Sequence, residues 1–239
     1  MLKTILRKQS KQKGPEMGYK NILFDLDGTL TDSSEGIIKS VLYTYEKMGL
    51  TPPADELLPT FIGPPLGDSF VRCGVKEENS RDAVEIYRER YNTIGKFENK
   101  PYPGMIELLQ KLNDEGYNLY VATSKPEKTS LEVLDHFDMT KYFKEVAGAT
   151  YDAKREKKED VIRYLLDKIS LEDKDELSDT VMIGDTTYDV TGAAEFNIPC
   201  IAVTWGFGDL EEMKAKGAIA VVNTMEELYR AITALPNHW

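Results

Sequence analysis

Short apolar runs, each stopping at a polar or glycine-containing turn, constrain this chain more than any other feature. The first covers residues 21–26 (Asn-Ile-Leu-Phe-Asp-Leu) and stops at Asp27-Gly28. Four more follow at 118–123, 145–149, 180–183 and 198–203, with a weaker sixth at 219–222. Runs this short, bounded by turn residues, predict buried strands. Helical patterns lie between them. Val161, Ile162, Leu165, Leu166 and Ile169 recur on one side of a helical period. Thr224-Met225-Glu226-Glu227 has the form of a capping box that opens the last helix. Strands alternating with helices predict a parallel sheet with helices packed on both faces.

One stretch breaks the alternation. Residues 33–102 carry helical patterns at 36–48 and 81–94, with Gly63-Pro64-Pro65 between them and no strong strand. That is too long for a simple crossover. The expected architecture is therefore a Rossmann-like α/β core, residues 20–32 and 103–239, with an inserted helical cap domain at 33–102. The polar borders Thr31-Asp32-Ser33-Ser34 and Pro101-Tyr102-Pro103-Gly104 are the expected hinges. Residues 1–19 stand apart. Lys3, Arg7, Lys8, Lys11 and Lys13 face only Glu16, and Gly14-Pro15 interrupts any helix. The expectation is a disordered basic leader, or a start at Met17, rather than a secretory signal.

Composition narrows the function classes. With 41% hydrophobic and 30% charged residues, the chain reads as a folded globular protein. No run approaches the roughly 18–20 apolar residues that a membrane helix needs. Lys+Arg 30 against Asp+Glu 41 gives a net charge of -11. Such a field repels nucleic-acid backbones, and an anionic substrate would need a local cation or a metal ion. Cys73 and Cys200 are far apart and lack ligand spacing, which points to a reducing, cytoplasmic setting. His136 and His238 are the only histidines, too few and too poorly placed for a catalytic triad or the usual zinc clusters. Chemistry is left to carboxylates and lysines.

Four polar segments follow four of the strands. Asp25-Leu26-Asp27-Gly28-Thr29 sets two carboxylates at a strand end. They would point the same way if the strand continued, and a like-charged pair is costly unless a cation lies between. Asp-Gly is also a common surface turn. Thr123 and Ser124 offer hydroxyls where a helix begins, which suits a phosphate and equally an ordinary helix cap. Lys154, Arg155, Lys157 and Lys158 precede the next helix. Most belong to a solvated loop, but one turned inward would neutralise a phosphate or an aspartate. Gly184-Asp185-Thr186-Thr187-Tyr188-Asp189 carries two carboxylates four apart, able to share a helix face. Their oxygens suit magnesium. Each segment is weak alone. Together they fall where open α/β sheets bind ligands, at the C-terminal ends of parallel strands.

These segments resemble the motifs of the haloacid dehalogenase superfamily of phosphohydrolases, over about residues 20–235. Phe24-Asp25-Leu26-Asp27-Gly28-Thr29-Leu30 matches the first motif and Thr123 the second. Lys158 matches the third, with Lys157 as the fallback, and Gly184 to Asp189 matches the fourth. The insertion resembles the cap of the phosphoglycolate phosphatase-like branch, where Thr204-Trp205-Gly206-Phe207-Gly208 also recurs. Gly63-Pro64-Pro65-Leu66 is similar to members described as phosphoglycolate phosphatases or 5′-nucleotidases. The resemblance implies magnesium-dependent hydrolysis of a small phosphomonoester, such as phosphoglycolate, through an aspartyl-phosphate. It implies Asp25 as nucleophile and Asp27 as acid and base. It implies Thr123, Ser124 and Lys158 on the phosphoryl group, with Gly63 and Pro64 of the cap reading the leaving group. It gives Mg2+ to Asp25, the Asp27 carbonyl and Asp185, with Asp189 ordering the water shell. A 5′-nucleotidase, a pyrophosphatase, a sugar phosphomutase like beta-phosphoglucomutase, and a non-catalytic phospho-ligand binding protein remain open alternatives. The expected partner is a small phosphorylated metabolite, with no nucleic acid or membrane, for a monomer or homodimer.

Overall fold

The central strands are apolar on both sides, and the fold uses both. The computed structural model describes residues 18–152, 154–171 and 177–234, so nearly all of the basic leader and His238 lie outside the described residues. In chain order the core elements begin with β1 (Asn21–Phe24) and β2 (Thr31–Asp32). The insertion contributes α1 (Ser34–Met48), α2 (Leu66–Arg72) and α3 (Ser80–Tyr91), and β3 (Lys100–Pro101) returns the chain to the core. There follow α4 (Met105–Asp114), β4 (Asn118–Pro126), α5 (Glu127–His136), β5 (Glu145–Ala149) and α6 (Lys158–Ile169). The chain continues through β6 (Thr180–Gly184), α7 (Thr187–Ala194), β7 (Cys200–Val203), α8 (Leu210–Ala215), β8 (Ala220–Val222) and α9 (Met225–Ala234).

The main sheet has the order β5-β4-β1-β6-β7-β8, and every neighbouring pair is parallel. Strand alternation sorts its side chains into two layers. Ile22, Phe24, Val121, Ile183 and Val203 pack with α4 and α9 on one face. Leu23, Ala122, Met182 and Ala202 pack with α6 and α7 on the other. Each fully buried Ile, Leu or Phe contributes roughly 1.5–3 kcal/mol, which is why the apolar runs become central strands. The expected Rossmann-like architecture with helices on both faces is the one observed.

The insertion has a core of its own, built on Ile37, Val41, Tyr45, Phe61, Phe70, Tyr87 and Tyr91. Its expected hinges are tied together: β2 and β3 form a two-stranded antiparallel ribbon, Thr31 opposite Pro101 and Asp32 opposite Lys100. Strand boundaries differ from expectation, by one residue at β6 and β8 and by more at three others. β1 stops at Phe24 because the Leu26 carbonyl accepts from the amides of Leu30 (2.9 Å) and Thr31 (3.0 Å), turning the chain. β4 runs on to Pro126, and the fifth run begins its pairing at Cys200. The last helix is capped as expected at Thr224, whose hydroxyl accepts from the Glu227 amide (3.1 Å), but Glu227 reaches back to Asn223 (2.7 Å). Among the described residues, no helix is long and apolar enough to cross a membrane.

Candidate active site

β1 pairs with β4 on one side and β6 on the other, Phe24 standing opposite both Val121 and Ile183. This register sets three strand ends side by side. Asp25 extends the ladder by one bond, its amide donating to the Ile183 carbonyl (2.9 Å), and its side chain is buried. Lys158 opens α6, and its ammonium reaches Asp25 Oδ1 (2.7 Å), Asp189 Oδ1 (2.7 Å) and the Ala122 carbonyl (3.0 Å). Asp25 and Ala122 accept hydrogen bonds from it, and Asp189 meets it as an ion pair. Burial works to lower the Lys158 pKa, but the charges of Asp189 and Asp25 outweigh it and the net shift is upward. Lys157, the fallback, is exposed at the helix cap. The structure therefore brings Lys158, not Lys157, to the aspartates.

Asp185 follows β6. Thr29 Oγ1 donates to its Oδ1 (3.2 Å) and the Phe207 amide to its Oδ2 (2.8 Å). Glycines let this carboxylate sit so deep. A Cβ on Gly28 would lie 2.1 Å from Asp185 Oδ2, and one on Gly206 would lie 2.2 Å from Asp185 Cβ. The expectation that Asp185 and Asp189 share a helix face is corrected. α7 starts only at Thr187, so Asp185 precedes it. A capping box brings Asp189 back instead: the Thr186 amide (3.0 Å) and hydroxyl (2.9 Å) both donate to Asp189 Oδ2.

Ligand atoms of Asp25, Asp185 and Asp189 all lie within 4.8 Å of one another, and all three residues are buried. Among the described residues, the one ammonium paired with this cluster is that of Lys158, which meets Asp25 and Asp189. Burial raises the Asp25 pKa to about 6; Lys158 opposes the rise, and the Asp189 and Asp27 charges add to it. Asp185 is pushed well above the usual carboxylate range by burial and then by Asp189 and Asp25. A buried oxygen cluster with uncompensated negative charge fits a hard divalent cation.

Asp27 stands apart from that cluster. Lys125 donates to both of its carboxylate oxygens (3.0 and 2.8 Å) and to the Tyr91 hydroxyl. The Asp27 side chain is thus not one of the clustered ligands, which leaves only its carbonyl for the metal role. Thr123 is buried, and its hydroxyl accepts from the Lys125 amide (3.2 Å). Ser124 is half-buried and its hydroxyl makes no hydrogen bond among the described residues, so the structure does not tie it to the cluster. Gly63 carries the insertion to the core: a Cβ there would lie 3.2 Å from Thr186 Cγ2, with half-buried Pro64 beside it.

Two residues escaped the sequence reading, Lys125 and Tyr91. Lys125 had a signal, because it lies two residues after Thr123 on a strand and shares its side. Tyr91 had none. It reads as one more aromatic of an amphipathic helix, and only the docking of the insertion brings it to Lys125.

The model of the haloacid dehalogenase-like hydrolase family matches residues 22–203. A 5′-nucleotidase of Pseudomonas aeruginosa is 43% identical over 198 residues, covering 82% of this chain and 88% of that protein. Tyrosine-protein kinase PtkA of Mycobacterium tuberculosis is 33% identical over 229 residues, 95% of this chain and 75% of that protein. A crystal structure described as a predicted phosphatase from Clostridium acetobutylicum superposes with a TM-score of 0.85 at 44% identity, covering 91% of this chain and 99% of that one. The family match runs from β1 through β7 and takes in all four strand ends, and so this chain belongs to the haloacid dehalogenase-like hydrolase family, as a phosphatase.

Proposed function

We propose that the protein is a magnesium-dependent phosphomonoesterase acting through an aspartyl-phosphate. The observation that carries this reading is Asp25, buried, held by Lys158 through one oxygen and clustered with Asp185 and Asp189. Its carboxylate attacks phosphorus, and the bond to the leaving oxygen breaks as Asp27 supplies that oxygen with a proton. Asp27 then takes a proton from water, whose oxygen attacks the phosphorus of the aspartyl-phosphate. The acyl-phosphate bond breaks, inorganic phosphate leaves and Asp25 is regenerated. Lys158 and Thr123 bind the transferring oxygens. Magnesium, held by Asp25, Asp185 and the Asp27 carbonyl, would supply the positive charge that lets an anionic nucleophile meet an anionic phosphate. Asp189 acts beside it through Lys158, which it holds by the oxygen left free of the helix cap.

The similarity to a protein named as a 5′-nucleotidase supports nucleoside 5′-monophosphates as the first substrates, with phosphoglycolate next. The test is phosphate release from nucleoside monophosphates, phosphoglycolate, a hexose phosphate and pyrophosphate, with magnesium and with excess chelator. Magnesium-dependent release from at least one monoester is expected. A hexose phosphate isomerised without phosphate release would replace this reading with a mutase. Binding without turnover of any ester would replace it with a ligand-binding role.

A further inference from the structure

Lys125 is a buried ammonium for which the proposed reaction has no task. It is 7% exposed, near the end of β4. Its three donors are fully assigned: Asp27 Oδ1, Asp27 Oδ2 and the Tyr91 hydroxyl. A buried ammonium is costly unless paired. Here the pairing fixes the partner as well. A carboxylate on a turn can rotate about both side-chain torsions, and contact through both oxygens removes that freedom. Proton transfer needs heavy atoms within about 2.6–3.2 Å, so the aim of Asp27 bears directly on its role.

Tyr91 makes this arrangement a property of two parts of the chain. It is the last residue of α3 and belongs to the insertion's own core, stacked on Tyr87 with ring centroids 5.1 Å apart. Its contact with Lys125 places the ammonium at the hydroxyl edge of the ring, 4.6 Å from nitrogen to centroid. A second tie crosses between the same parts, Lys96 to Glu132 at 2.5 Å. Lifting the insertion away would strip Lys125 of one of its three acceptors.

We propose that Lys125 is the positioning residue for the acid–base carboxylate Asp27, and that Tyr91 makes this positioning depend on the insertion lying against the core. The inference rests on the phosphatase reading above. It assigns Lys125 no contact with the reacting atoms. It predicts that proton donation to the leaving group weakens when the triad Asp27–Lys125–Tyr91 is cut.

Leaving-group dependence tests this. An aryl phosphate expels an oxygen that needs little protonation, whereas an alkyl phosphate needs the acid. The value of kcat/KM reports steps up to transfer onto Asp25, before Asp27 acts as base. It is measured for 4-nitrophenyl phosphate and for the best alkyl phosphomonoester, in wild type, Lys125→Met, Lys125→Arg and Tyr91→Phe. Since general acid catalysis is typically worth roughly 10²- to 10⁴-fold, Lys125→Met should lower the alkyl value by at least about 10-fold. The aryl value should stay within about threefold on the same grounds. Tyr91→Phe should show the same bias, smaller, and Lys125→Arg should recover part of the alkyl rate. Equal loss on both esters would mean a purely structural or binding role and would overturn the inference while leaving the phosphatase reading intact. A wild type that releases phosphate from neither ester sinks both. If Lys125→Met does not fold, Tyr91→Phe decides, because it keeps the packed ring and removes only the hydroxyl.

Discussion

Replacing Asp25 by asparagine should stabilise the metal-free protein while ending turnover. The wild-type carboxyl is buried, and burial lifts its pKa from 3.8 to about 6. A raised folded-state value means that the folded protein holds this proton more tightly than the unfolded chain. The stability it confers is fully present below about pH 3.8 and is lost as the pH rises through about 6. At pH 8 the rise from 3.8 to about 6 corresponds to about 3 kcal/mol of lost stability. An amide is neutral in both states and avoids that loss. For a chain of this size 1 kcal/mol moves Tm by roughly 2–4 °C, so the variant should melt about 6–12 °C higher. At pH 5 the wild-type group is mostly protonated when folded, and linkage reduces the gap to about half. The assay is thermal unfolding of both proteins in excess chelator at the two pH values. Magnesium should then narrow or reverse the order, because it stabilises the wild type by about 2.7 kcal/mol at a hundred times Kd and the variant by less. Turnover in the same samples should fall below detection, since an amide oxygen is no nucleophile. A variant less stable than wild type at pH 8 without metal, or a gap that does not shrink at pH 5, would refute the reasoning.

Lys158→Met should lower turnover of every substrate by one common factor and destabilise the fold by roughly 3–5 kcal/mol, because Asp25 and Asp189 are left buried without their cation; urea titration and steady-state kinetics check both halves. Chelation should abolish phosphate release and magnesium should restore it, while calcium should inhibit. Calcium takes more ligands at longer distances and would engage the Asp25 oxygen needed for attack; full activity in excess chelator counts against the metal. Gly206→Ala should weaken magnesium binding in calorimetric titration, since its Cβ would fall 2.2 Å from Asp185 Cβ and displace that carboxylate; unchanged affinity would mean that Asp185 does not hold the ion. Pro64→Ala should shift relative kcat/KM among three unrelated phosphomonoesters, whereas a uniform change would remove the insertion from substrate choice. Gly63 is the poorer probe, because its φ of +102° strains any other residue there.

The strands were legible because their signal is local. An apolar run such as Ile22-Leu23-Phe24 has no soluble alternative to burial, and the polar residues after it mark where the sheet ends. Where strand ends are parallel neighbours, the residues just past them converge, so the four polar segments could be assembled from chain order alone. Boundaries were less legible. Nothing in Asp25-Leu26 reveals that the Leu26 carbonyl will accept from Leu30 and Thr31 and end the strand early. Nor does the spacing of Asp185 and Asp189 reveal that one precedes the helix and the other caps it.

The sequence by itself determined the parallel sheet, the helical patterns of the insertion and the four polar segments at the strand ends, since each depends on residues near one another in the chain. Tertiary structure alone decided which of two adjacent lysines is buried, because Lys157 is the extended residue that caps α6 from outside and Lys158 is the first residue of the helix, turned to the sheet. It alone seated Asp185 against Gly28 and Gly206, segments far apart in the chain that must approach closer than any side chain allows. It alone joined Asp27 to Lys125 and Lys125 to Tyr91. Those contacts span 98 and 34 residues, and no local preference encodes a bond that exists only when an inserted unit settles on the sheet that carries it.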